Sequence, residues 1–238
     1  MELVVNKELY QLYASSYFDK IIPELSAYLD KGIISVMNFF DLEHISKLKI
    51  YLYDDAEEYQ KLFKTLYPLN GIAGCFGYED VKIYADLNKI DKHRLFTCIL
   101  HELTHVIYRN YIQEKGINNR IVWFDEGLAS FLSGEKNTLL DNYKLKEFIE
   151  TRINSEGKEI PKISYLHKHG ASYGEFVDTK TNKYNGYDWS YLMIRYLIET
   201  LSKEELNELM RSKQNILDIE DTITNDTYNY FTKKVKTK

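Results

Sequence analysis

The chain has 238 residues, 44% of them hydrophobic, with a formal net charge of −5, which suits one globular domain or two packed lobes. The mild acidity argues against a nucleic-acid-binding or membrane-surface protein, and no apolar run approaches a membrane span. Two cysteines, Cys75 and Cys98, are too few for a disulfide framework, and residues 1–8 lack the basic-then-apolar order of a signal peptide, so a cytoplasmic location is expected.

In chain order, Leu9, Leu12, Tyr13, Tyr17, Ile21, Leu25 and Leu29 fall at helical spacing and predict a helix over 8–30, bent at Pro23 and ending at Lys31-Gly32. A short helix over 33–40 follows. Residues 48–53 alternate apolar and polar and predict a strand with one buried face. Asp54-Asp55 open a helix that runs through Leu66. Residues 71–78 and 81–87 read as two short neighbouring strands, and three glycines in the first (Gly71, Gly74, Gly77) call for a bulge or a close backbone approach.

A long helix over 92–113 comes next, with Asp91 as N-cap and Gly116 beyond its end. Thereafter the chain reads as helical over 121–133, 138–153, 187–201 and 203–212. The expected fold class is α+β. A small mixed α/β lobe, residues 1–115, packs a short sheet on the long helix and is followed by an all-helical lobe, residues 116–238, within a single domain of 1–238. Lys233, Lys234, Lys236 and Lys238 read as a frayed, solvated tail. Cys98 reads as a buried structural thiol.

The long helix carries His101-Glu102-Leu103-Thr104-His105. Histidines four apart share one helix face, one turn above the other, so both imidazoles can reach a single metal ion. Downstream, Trp123-Phe124-Asp125-Glu126-Gly127-Leu128-Ala129 supplies a carboxylate on a second helix. Gly127 and Ala129 are small enough to let two helices approach closely. Two His and one Glu around Zn2+, one ion per chain, leave a fourth position for water, the arrangement of a hydrolytic site. His101, His105 and Glu126 are therefore the expected metal ligands. Glu102 sits too close in sequence to His101 to share the coordination and is placed to take a proton from the water and pass it to the leaving amine. The expectation is a zinc-dependent peptidase acting on a peptide or protein substrate. A catalytically degenerate binding or regulatory module and a zinc hydrolase of a non-peptide bond remain the alternatives. His44, His93, His167 and His169 are read as non-ligands.

The HELTH and WFDEGLA pair, with a 20-residue gap before Glu126, resembles the gluzincins, peptidases with a thermolysin-like catalytic core. It is most similar to the peptidase MA-like branch near the M1 aminopeptidases and clostridial collagenases. The resemblance implies a thermolysin-like zincin fold, a catalytic zinc and peptide-bond hydrolysis. It also implies a tyrosine near the start of a later helix that stabilises the tetrahedral oxyanion. Tyr187 fits that position, and Tyr191, one turn on, is the second choice. The strand before the metal helix, here 82–87, is implied to offer its free edge to an extended substrate. In the aminopeptidases a glycine-rich motif ending in Glu-Asn captures the substrate's amino terminus. The stretch Gly71-Ile72-Ala73-Gly74-Cys75 has the glycines and lacks the acid, which favours an endopeptidase. The loop over 182–186 reads as a mobile rim, and Arg195 as a partner for a carboxylate, either near the site or in a structural salt bridge.

Overall fold

A computed structural model describes residues 1–63, 69–115, 119–140, 142–153, 160–167 and 185–236. The chain divides into two compact units, Met1–Tyr111 and Ile112–Lys238, and its class is mixed α+β, with the strands in the first unit. Among the described residues no helix is long and apolar enough to cross a membrane.

The first unit is built on a five-stranded sheet in the order β1-β2-β3-β5-β4. Its strands are β1 (Glu2–Asn6), β2 (Tyr10–Ala14), β3 (Leu48–Tyr53), β4 (Ile72–Phe76) and β5 (Asp80–Ala85). β2, β3 and β5 run parallel, while β1 and β4 pair antiparallel at the two margins. Helix α1 (Ile22–Phe39) links β2 to β3, α2 (Ala56–Phe63) follows β3, and α3 (Lys92–Ile107) follows β5.

Register explains how the sheet sorts its side chains. Leu12, Ile50 and Val81 line up across β2, β3 and β5, as do Leu52 and Ile83 across β3 and β5, and all five are fully buried. α3 packs on β4 and β5 and against α1. On the other face Tyr53, Tyr59 and Tyr84 form a buried cluster, extended by the stacked Tyr13–Tyr51 pair at 4.9 Å between centroids. Five of the 21 tyrosines thus serve one sheet face, where each ring adds apolar area and keeps a polar tip.

Three departures from the sequence reading occur here. Residues 10–14, expected within the first helix, form β2, because their buried set, Tyr10, Leu12 and Ala14, alternates with period two. Pro23 does not bend a helix: it occupies the first turn of α1, where its missing N–H costs nothing. Lys31-Gly32 does not end the helix either. α1 runs on to Phe39, and a methyl at Gly32 would come 2.7 Å from Leu100 Cδ2, so this glycine marks the close approach of α1 to α3. Of the bulge or close approach expected over residues 71–78, β4 shows the close approach, at Gly74 against Glu102, and a register shift lies in β1 between Leu3 and Val5.

The described part of the second unit is helical: α4 (Val122–Ser133), α5 (Asn142–Glu147), α6 (Ile163–His167), α7 (Gly186–Thr200), α8 (Lys203–Arg211), α9 (Lys213–Asp218) and α10 (Glu220–Lys236). Caps punctuate this polar stretch. Asn185 Oδ1 accepts the Tyr187 and Asp188 N–H groups, Ser202 and Glu205 form a capping box, and Gly134 closes α4 at φ 75°. Trp123 and Trp189 are both buried, and the Trp123 indole donates to Glu220 Oε1 at 2.8 Å.

Lys233, Lys234 and Lys236 of the basic C-terminal run stand on a helix rather than a frayed tail, and Lys238 lies outside the described residues. In α10, Lys234 Nζ lies 2.7 Å from Glu199 Oε2, Tyr230 donates to the same oxygen at 2.6 Å, and Phe231 is fully buried. Gly127 meets α7: a methyl there would overlap the Ser190 carbonyl and come 2.5 Å from Ile194 Cγ1. Gly127 thus permits a close approach of α4 to α7, a partner that the sequence reading did not name.

Two measurements check this packing. Gly127→Ala should lose about 2–3 kcal/mol in urea unfolding followed by far-UV circular dichroism, and an unchanged midpoint would refute the close α4–α7 contact. Burial would raise the Glu199 carboxyl, but hydrogen bonds from Lys234, Tyr230 and Arg195 outweigh it and hold it below its ordinary value of 4.5. That stabilisation is present above the ordinary value and is lost as pH falls through the folded-state pKa. Glu199→Gln should therefore lower the urea midpoint near pH 7, and the difference from wild type should shrink as pH falls through the folded-state pKa of Glu199.

Candidate metal centre

α3 starts where the sequence places it, with Asp91 Oδ1 accepting the Arg94 N–H at 2.8 Å. The α-helix ends at Ile107 and a π-helical turn, Tyr108–Ile112, continues it. Leu95, Ile99 and Leu103 are fully buried and fix the rotation of the helix. The motif residues are fixed with it. Thr104 satisfies its own hydroxyl by donating to Leu100 O at 2.8 Å.

His101 and His105 are both buried. Their Nε2 atoms lie 3.1 Å apart, and the rings are nearly perpendicular, at 80°, with centroids 4.8 Å apart. Two nitrogens bound to one tetrahedral zinc at about 2.05 Å would be about 3.3 Å apart. The observed separation matches that bite, and neutral imidazole nitrogens are a ligand type that zinc accepts. The donor pair therefore fits the ion.

Strand β4 supplies the facing wall. Gly74 pairs with Ile83 and Phe76 with Val81, so both residues stand on the sheet face that α3 covers. The Phe76 ring stacks on His105 at 4.6 Å and 27°, which limits rotation of the imidazole. The Glu102 side chain lies directly against Gly74. On the reverse face Cys75 is hydrogen-bonded to Tyr59, and burial pushes its thiol above the ordinary range, which disfavours the thiolate. Cys98 is only partly buried, and neither cysteine forms a disulfide.

β5, the strand immediately before α3, has no free edge. It pairs with β3 on one side and β4 on the other. The margin of the sheet is β4, because the hairpin from β4 to β5 folds the earlier strand to the outside.

In the second unit Glu126 lies near the start of α4, with its side chain 12% exposed. Arg120, just ahead of the helix, donates from Nη2 to Glu126 Oε1 at 2.6 Å and from Nε to Asp125. Burial alone would loosen the guanidinium proton, but Asp125 and Glu126 outweigh it and raise the Arg120 pKa. One cation thus pairs with and orients two adjacent carboxylates, offsetting one of their two charges. Nothing in the sequence marks Arg120, since an arginine six residues before a glutamate has no defined spacing when the first of the two lies outside the helix.

Tyr187 is the second residue of α7 and is partly exposed, with its backbone N–H capped by Asn185. Tyr191 is fully buried, and burial pushes its phenol up to about 12. An oxyanion donor must be reachable by substrate, so the two tyrosines are not equivalent, and Tyr187 is the accessible one. Arg195 pairs with Glu199, Nε to Oε1 at 2.6 Å, and lies over the Phe131 ring, a structural role. The side chain of His167, all of His169 and residues 182–184 of the expected rim lie outside the described residues.

Comparison with known proteins adds three findings. The family profile of the Peptidase MA superfamily matches residues 29–237. A curated relative, collagenase ColT from Clostridium tetani (strain Massachusetts / E88), is 31% identical over 103 residues, a match covering 38% of this chain and 10% of that protein. A solved aminopeptidase N family protein from Idiomarina loihiensis is 13% identical with a TM-score of 0.48, over 93% of this chain and 41% of that one. The chain therefore spans about a tenth of the curated relative and less than half of the solved protein.

Arg120→Met should cost about 3 kcal/mol in urea unfolding at neutral pH, because it leaves two carboxylates without their cation. A change below about 0.5 kcal/mol, the range of an ordinary surface substitution, would show that the triad contributes nothing to stability.

Proposed function

The chain belongs to the Peptidase MA superfamily, and from that premise we propose that it is a zinc-dependent metallopeptidase of gluzincin type, with both units forming one catalytic domain. The observation that carries this reading is the buried imidazole pair of His101 and His105, with Nε2 atoms 3.1 Å apart and a carboxylate at 102 beside it. Glu126 completes the ligand set. In support, His101, His105 and Glu126 form a group among the described residues that could hold one metal ion.

When bound, zinc would supply Lewis acidity, polarising the scissile carbonyl and making water a better nucleophile at neutral pH. The rest falls to the chain. Glu102 accepts the proton of the attacking water and returns it to the leaving amine. Its carboxylate suits this task because it shares the helix face of the two histidines and is one residue away from His101, where coordination by both is awkward. Tyr187 donates its phenol to the developing oxyanion, a role supported by its accessibility at the start of α7. Arg120 holds Glu126 in one orientation, so that the carboxylate arrives preorganised.

The substrate is a peptide or protein, and its main chain adds to the outer side of β4 as an extra strand. This replaces the edge expected at 82–87, which is occupied by β3 and β4. β4 reads Ile72-Ala73-Gly74-Cys75-Phe76 and contains no acid to fix a substrate's amino terminus, which favours internal cleavage over removal of terminal residues.

Purified protein should contain one zinc per chain by atomic absorption and should cleave a proteome-derived peptide library, with cleavage abolished by a chelator and restored by zinc. Glu102→Gln should keep the metal and lose about 100- to 10,000-fold in turnover, the usual contribution of a general base. His101→Ala, His105→Ala and Glu126→Ala should each lose metal and activity together. Zinc-loaded wild type without turnover would overturn the peptidase reading, and full activity of Glu102→Gln would overturn the role of Glu102.

A further inference from the structure

The glycine at position 74 has no explanation in the backbone. Among the described glycines only Gly71 and Gly134 adopt a positive φ, so Gly74 sits in a conformation open to any residue. Nor does the apolar core exclude a side chain, since Gly74 is the exposed residue in the middle of β4. Strand interiors disfavour glycine, which contributes no packing and loses the most entropy on folding. An alanine would be the better strand former unless something fills the space of its methyl group.

One side chain fills that space. A Cβ at position 74 would lie 2.6 Å from Oε1, 2.8 Å from Cγ and 2.9 Å from Cδ of Glu102. All three contacts belong to the same carboxylate arm. The arm is flexible, so a methyl at 74 would not break the fold; it would move the carboxylate. The cost would thus fall on the position of Glu102 and not on stability.

We propose that Gly74 is a positioning residue for Glu102: its missing side chain forms the recess in β4 in which the carboxylate is held. The proposal rests on the metallopeptidase reading only for its catalytic consequence. The recess itself is a property of β4 and α3, both within the first unit. Phe76, two residues on and facing the same way, holds His105 by stacking. One strand face therefore sets both the proton-transfer group and a ligand ring, with the smallest residue opposite the first and a flat aromatic opposite the second. The same strand offers its outer edge to substrate, so the wall that fixes Glu102 also fixes the scissile bond.

The test is Gly74→Ala, alone and combined with Glu102→Asp, whose shorter arm retracts from the methyl. Gly74→Ala should melt at or above the wild-type temperature, because alanine is favoured over glycine where the backbone allows both. Its zinc affinity by isothermal titration should stay within about twofold. Its kcat should fall about 100-fold with KM nearly unchanged, the scale of a misplacement of about 1 Å. In the Glu102→Asp background the same substitution should cost less than about tenfold, the non-additivity expected of two groups sharing one space.

A crystal structure of the metal-free variant should show the Glu102 carboxylate turned out of the recess. Unchanged kcat in Gly74→Ala, additive losses in the double variant, or a Glu102 carboxylate still in place would each overturn the proposal. If wild type cleaves nothing, the peptidase reading fails by itself, and the crystal structure still decides whether Gly74 holds Glu102.

Discussion

The packing of α3 on β4 is the contact on which the first unit's chemistry depends. One stripe of α3, including Leu95, Ile99 and Leu103, is committed to the core, so the helix cannot rotate. Its other face must then bury two imidazoles and hold a carboxylate, groups that are costly away from water without partners. The strand opposite meets this demand at two points. Glu102 and His105 are separated by about 4.5 Å along the helix, and Gly74 and Phe76 by about 6.7 Å along the strand. The two spacings are near enough for two side-chain contacts to form at once, one by absence and one by stacking. A one-residue slip of β4 would turn Cys75 toward α3 and lose both.

The second unit is held by a different logic. Much of its sequence is polar, and α10 is rich in Thr, Asn, Asp and Lys, so helix propensity contributes little. Beside the buried apolar core of Trp123, Leu128, Trp189 and Ile194, stability comes from caps at Asn185, Ser202 and Ser212 and from charges gathered on single carboxylates or cations. Glu199 accepts from Arg195, Tyr230 and Lys234, tying α7 to the C-terminal helix. Arg120 does the converse for Asp125 and Glu126. Both hubs are largely withdrawn from water, where a charged hydrogen bond contributes more than at the surface and an unpaired partner costs more.

How much of this was legible in the sequence depends on whether the signal is local. The α3 motif, its Asp91 cap, β3 and the start of α4 all follow from short-range spacing and stand close to where they were expected. The N-terminal strands were missed because Leu9, Leu12 and Tyr13 also fit a helical period, and only pairing with β3 decides for period two. α10 was missed because its apolar residues, Ile223 and Phe231, are sparse and its stability is borrowed from Glu199 on another helix. In the candidate site the residue types were legible, while their supports were not. Gly74 was one of three glycines read as calling for a bulge or a close backbone approach, but that its neighbour is Glu102 is a matter of sheet order. The same holds for the sheet edge: the family resemblance pointed to the strand before α3, which is β5, and the hairpin places β4 outside it.

The tryptophans, described above only as buried residues of the helical unit, have an optical consequence. The chain has two, Trp123 and Trp189, and both belong to the unit Ile112–Lys238. The sheet unit absorbs and emits through tyrosine alone. Indole emission therefore reports on the helical unit alone, while tyrosines lie in both units, the Tyr13–Tyr51 and Tyr53–Tyr59 ring pairs of the sheet face among them. An unfolding curve followed by tyrosine that departs from the indole curve would thus reveal, with no label attached, that the sheet unit loses structure at a different point from the helical one.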